Sequence, residues 1–69
     1  MTFCETLAKG TRADGRDVFA ERSQEKFSAI WNYSVCVTES GSPLVISVFP
    51  CARTTWKKVF KEVMEGNSL

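Results

Sequence analysis

The feature that most restricts what this chain can become is a run of alternating residues in its middle. From Phe27 to Thr38 the odd positions read Phe27, Ala29, Trp31, Tyr33, Val35, Val37, and the even ones Ser28, Ile30, Asn32, Ser34, Cys36, Thr38. A period of two over that length points to a long amphipathic β-strand, about 26–38. A helix over residues 17–31, with Phe19, Ser23, Phe27 and Ile30 on one face, strands Val18 and Ala29 and breaks the alternation, so the strand is preferred. The turn formers Glu39, Ser40, Gly41, Ser42 and Pro43 follow, and then the aliphatic, β-branched run from Leu44 to Phe49. Together they predict an antiparallel hairpin of strands 26–38 and 44–49. In the second strand Leu44, Ile46 and Val48 fall on one face and Val45, Ser47 and Phe49 on the other. Both faces are mostly apolar, so each needs a cover.

One cover is visible. Trp56, Val59, Phe60, Val63 and Met64 recur at helical spacing between Pro50 and Gly66, predicting an amphipathic C-terminal helix about 52–65. Toward the other terminus, Thr2 and Glu5 have capping-box spacing, Phe3 and Leu7 lie one turn apart, and Gly10 is a stop, which reads as a short helix over 3–9. Residues 18–22 read as a third strand, polar enough for a sheet edge. The expected fold is a single α+β domain spanning residues 1–69: helix, three antiparallel strands, helix, with residues 67–69 frayed.

Composition narrows the function. With 69 residues the chain has room for one small core and little surplus stability for a deep catalytic pocket. Nine Lys or Arg against eight Asp or Glu give a formal charge of +1. That is neither the field of a non-specific nucleic-acid binder nor the acidic surplus of a DNA mimic. Charge is unevenly spread: residues 27–49 carry only Glu39, which marks the middle third as the buried part.

Chemistry-bearing motifs are few. Cys4, Cys36 and Cys51 have no zinc-ligand spacing, and the chain has no histidine, so no metal site and no cysteine nucleophile with its base is expected. The thiols read as reduced, apolar side chains of a cytoplasmic protein. There is no signal-peptide pattern, and the longest aliphatic run, Leu44, Val45, Ile46, is far too short to span a membrane. No phosphate loop and no Ser-His-Asp set is present, so no enzyme activity and no cofactor is expected. Asp14, Asp17, Glu21 and Glu25 are interleaved with Arg12, Arg16 and Arg22, a neutralised surface.

Two groups remain as candidate contacts. Arg53, Lys57 and Lys61 form a basic stripe at four-residue spacing on the C-terminal helix, suited to phosphates or an acidic partner surface. Trp31 and Tyr33, where exposed, are aromatic anchors. The helix, three-strand, helix order with Lys57, Lys58 and Lys61 resembles the double-stranded RNA-binding domain, whose last helix grips phosphate with such a cluster. The Gly-Pro-x-His loop of that family has no counterpart in Ser23, Gln24, Glu25, Lys26.

These features point to a small protein-binding regulator or inhibitor that occupies the surface of a larger protein, of the kind common among phage and mobile-element accessory proteins. The runner-up is a nucleic-acid-binding regulator using the basic stripe. A hairpin apolar on both faces further predicts a homodimer, with Val45, Ser47 and Phe49 at the contact.

Overall fold

A computed structural model describes residues 2–66; the expected fraying of 67–69 lies outside the described residues. Four strands, β1 (Thr2–Thr11), β2 (Asp17–Glu25), β3 (Asn32–Thr38) and β4 (Val45–Cys51), precede one helix, α1 (Trp56–Met64). The strands form an antiparallel meander in the order β1-β2-β3-β4, and α1 packs on one face. The fold is α+β, with one strand more and one helix fewer than the sequence reading.

The expected N-terminal helix is a strand. A helix of seven residues is marginal alone, whereas Thr2, Phe3, Cys4, Thr6 and Thr11 favour extended backbone, and β2 offers a full set of hydrogen-bonding partners. The alternation of β1 is hidden by an irregularity at Leu7, since Thr6 pairs Glu21 but Ala8 pairs Ala20. Gly10 leaves room for a side chain of α1: a Cβ there would meet Met64 Cε at 2.7 Å. The expected edge strand 18–22 lies inside a longer strand, 17–25, with β1 on one side and β3 on the other. Its charged residues are accommodated because Arg22 meets Glu5 across the ladder. This architecture is not the helix-first order of the double-stranded RNA-binding domain.

The long alternating segment is strand only from Asn32 onward. Residues 26–31 form a loop in which Ser28 N–H donates to Glu25 O at 3.1 Å and Ile30 N–H to Ser28 Oγ at 3.1 Å. Within β3 the alternation holds on the helix side, where Tyr33, Val35 and Val37 are buried.

Register assigns the two faces. Rows Gly10, Val18, Val37 and Ala8, Ala20, Val35 lie under α1 together with Phe49 and Cys51. Val18, Val35 and Val63 are fully buried, each worth roughly 1.5–3 kcal/mol of hydrophobic burial. Val59, Phe60, Met64 and Trp56 complete the packing. The opposite face carries Phe19, Glu21, Cys36, Thr38 and Val48 and has no covering element among the described residues. Buried Thr38 is satisfied there: its Oγ1 accepts from Asp17 N–H at 3.0 Å and donates to Asp17 O at 3.4 Å.

The helix begins later than expected because residues 52–55 close a turn first. Thr55 Oγ1 accepts from Ala52 N–H at 3.1 Å, and the N–H groups of Thr55 and Trp56 both donate to Ala52 O. Gly66, at φ 82°, takes the left-handed conformation that ends the helix. No helix among the described residues is long and apolar enough to cross a membrane.

Candidate functional site

Antiparallel topology gathers distant segments at the two ends of the sheet. One end holds the β1–β2 turn, the β3–β4 turn and the C-terminus of α1. It is latched by polar contacts: Arg12 and Arg16 both reach Asp14 Oδ2, at 3.1 and 3.7 Å, and Ser40 Oγ donates to Asp14 O at 3.2 Å. The other end holds the start of β1, the β2–β3 loop, the turn after β4 and the first turn of α1.

At this second end the surface is apolar and aromatic. Phe3 is 58% exposed, Phe27 95% and Ile30 70%. Trp31, half-buried, folds back along the helix-bearing face so that Arg22 stacks on its ring, 4.3 Å from guanidinium carbon to centroid. Arg22 is held from the far side by Glu5: its Nε and Nη2 donate to the same oxygen, Oε2, at 2.8 and 2.7 Å. Tyr33 and then Glu5 push the Arg22 pKa up, so the guanidinium stays charged. Between Phe3 and Trp31 an open groove of about 390 Å³ is floored by Cys4, Glu5 and Gln24.

Phe27 is the outlier of the chain. Its backbone sits at φ 71°, the one non-glycine residue with positive φ among those described. For a bulky side chain that conformation is strained, and here the ring gains no core contact in return. Only Lys26 accompanies it, with Nζ 5.0 Å from the ring centroid.

The residues singled out in the sequence are divided by the structure. Trp31 belongs to this end. Tyr33 is buried beneath it, only 9% exposed, and offers little free surface. Arg53 and Lys57 are exposed at the same end, Lys57 with Nζ 5.8 Å from the Trp56 ring centroid. Lys61 is one helical turn farther on, 4.0 Å from Glu65. Phe27 belongs to the same aromatic alternation as Trp31, whereas Phe3 and Ile30 carry no sequence signal for this end, because Ile30 matches a strand pattern and Phe3 a helical one.

Val45, Ser47 and Phe49 do not share a face. Val37 pairs Ser47 and Thr38 pairs Val45, so the extra residue Ile46 sends Val45 and Ser47 to opposite sides. Phe49 packs in the core under α1. The apolar residues of β4 and its approach that remain exposed are Leu44, Val45, Ile46 and Val48.

The uncovered face holds the one thiol cluster among the described residues. Cys4 Sγ lies 3.3 Å from Glu21 Oε2 and Cys36 Sγ 3.8 Å from Glu21 Oε1. Cys4 on β1 pairs Ser23 and Cys36 on β3 pairs Phe19, so the two cysteines are two strands across and roughly 13 Å along the sheet from one another, beyond the reach of a disulfide. The hydrogen bond to Glu21 raises the Cys4 pKa, and burial, reinforced by Glu21, raises that of Cys36. Burial also raises Cys51. Neutral thiols are poor nucleophiles and poor metal ligands, and no group of three metal-ligating side chains occurs among the described residues.

No protein-family model, curated protein or solved structure matches this chain. The functional reading therefore rests on the geometry of the aromatic end.

Proposed function

We propose that this protein is a small binding module that regulates or inhibits a larger protein by occupying its surface, and that Phe3, Phe27, Ile30 and Trp31 make the contact. The observation that carries this reading is Phe27: a phenylalanine ring 95% exposed on backbone at φ 71°. Left-handed backbone costs roughly 1–2 kcal/mol for an ordinary residue, and the exposed ring adds a hydration penalty that burial against a partner removes. Exposed aromatic and aliphatic side chains grouped at one end, rimmed by polar residues, are the usual make-up of a protein contact. The neighbouring stack of Trp31 on Arg22 supplies a rigid anchor of the types that dominate binding energy.

The test is photocrosslinking in the native cell from a crosslinking amino acid placed at position 30, with the same group at exposed Ala13 at the opposite end as control. A discrete heteromeric adduct from position 30, absent from position 13 and lost on Phe27→Ser in a variant with unchanged circular dichroism, is expected. Equal labelling from both positions, or labelling indifferent to Phe27→Ser, overturns the proposal.

A further inference from the structure

We infer that the open edge of β1 at Thr2–Thr6 takes a second copy of this chain, strand against strand, in a two-fold dimer centred on Cys4. This contact goes beyond the aromatic reading above: it uses backbone groups and leaves Phe27, Ile30 and Trp31 to a larger partner.

The meander order gives the sheet two edges, β1 and β4. An edge strand presents unpaired N–H and C=O groups, so what completes it is another extended chain. Proteins blunt such edges with proline, lysine or a bulge. β4 is blunted twice, by Pro50 and by the extra residue Ile46. The second half of β1 carries the irregularity at Leu7 and the exposed Lys9. Thr2–Thr6 has none of these devices: it pairs β2 without a break, and Phe3, Cys4, Glu5 and Thr6 are all exposed. Its single charge, Glu5, is neutralised by Arg22.

With one open stretch per molecule, the edge that matches it is the same stretch of another copy. Pairing β1 with β4 of a neighbour would propagate a fibre, and the blunting of β4 blocks it. Pairing β1 with β1 about a two-fold axis closes at two copies.

Hydrogen-bond phase selects the register. The β1–β2 turn closes with Arg12 N–H donating to Arg16 O at 2.8 Å, and antiparallel pairs alternate from there between bonded and non-bonded. Leu7 and Ala8 together oppose Ala20, both packed toward the core. Counted through that bulge, Cys4 and Thr6 fall at non-bonded positions, so their N–H and C=O groups point away from β2. Outward groups then meet outward groups only in registers centred on Phe3, Cys4 or Glu5. A centre at Glu5 sets its carboxylate against its own copy, and a centre at Phe3 shortens the overlap. The Cys4 centre places Thr2 opposite Thr6 and Phe3 opposite Glu5, opposes no like charges and forms about six ladder bonds. Its axis stands normal to the sheet, so Phe3, 58% exposed, comes beside the Glu5 and Arg22 pair of the second copy.

The test is light scattering on the reduced full chain across a concentration series, with Cys4→Ser, Cys4→Pro and Val48→Lys. It is joined by crosslinking of the parent and of Cys4→Ser/Thr6→Cys with a short bismaleimide. The parent should rise from 7.7 kDa toward twice that mass, and Cys4→Ser and Val48→Lys should follow it. Cys4→Pro removes only an outward N–H, a change that edge strands tolerate, and should stay at the monomer mass with unchanged circular dichroism. In the dimer the two Cys4 Cα atoms are about 5.5 Å apart. A thiol at position 6 is displaced from its copy by roughly 13 Å along the strands, so crosslinking should be about tenfold faster from position 4. If Cys4→Pro alters the circular dichroism, the ratio of crosslinking rates decides. A parent that stays monomeric, a dimer that survives Cys4→Pro or dissociates in Val48→Lys, or equal crosslinking from the two positions would each overturn the inference. Capture of a different protein from position 4 in place of the dimer would overturn it as well, assigning the edge to a partner's strand.

Discussion

The guanidinium of Arg22 lies 4.3 Å from the centre of the Trp31 ring, joining the middle of β2 to the last residue of the β2–β3 loop. Because Glu5 holds the same guanidinium from β1, this one side chain organises three segments that sequence order keeps apart. Exposed cation–π contacts and ion pairs each contribute up to about 1 kcal/mol. Arg22→Ala should therefore lower stability modestly and release Trp31. In a Trp56→Phe background, the emission of the remaining tryptophan should shift to longer wavelength; an unchanged spectrum would show that the stack does not hold the ring in solution.

Phe27 offers a prediction of opposite sign. Glycine adopts positive φ without penalty, so Phe27→Gly should stabilise the domain by about 1 kcal/mol, read as a higher urea midpoint, while abolishing crosslinking from position 30. Stability gained together with binding lost separates a functional side chain from a structural one. A destabilised variant would mean that the ring has packing contacts in solution.

The thiols set a pH dependence. Burial and Glu21 raise the pKa of Cys36 above its ordinary value of 9.0, and the hydrogen bond to Glu21 does the same for Cys4. The fold therefore binds thiol protons more tightly than the unfolded chain. Stability is full below the ordinary thiol pKa and falls as pH rises through the folded values, since the unfolded thiols ionise first. Urea unfolding under reducing conditions should show declining midpoints above about pH 9. Glu21→Gln, which removes one cause of both shifts, should give a shallower decline than the parent.

Val48 tests the uncovered face. It is 55% exposed there, beside buried Cys36 across the ladder, so Val48→Lys should change stability by no more than about 0.5 kcal/mol. Self-association through this face, expected from the apolar hairpin, requires the mass by light scattering to rise above 7.7 kDa with concentration in the parent and to stay there in Val48→Lys. A parent that remains at the monomer mass removes the homodimer.

How much of this was legible in the residues differs from segment to segment. Tyr33, Val35 and Val37 declared a buried strand face through their period of two, and Val59, Phe60, Val63 and Met64 declared a helix through theirs. Those patterns persist because side-chain direction follows backbone geometry locally, so a chain of this composition determines its α+β class, its central strand and its C-terminal helix by itself. The remainder depended on which strands found each other. Pairing with β2 turned Thr2–Thr11 from a marginal helix into a strand. The insertion at Ile46 moved Val45 to the face opposite Ser47. The left-handed turn at Phe27 detached residues 27–31 from the alternation they continue. Each is a non-local or one-residue event that leaves composition and periodicity unchanged. The site, assembled from a strand start, a loop and a helix start at one end of the sheet, therefore came into being only with the tertiary structure.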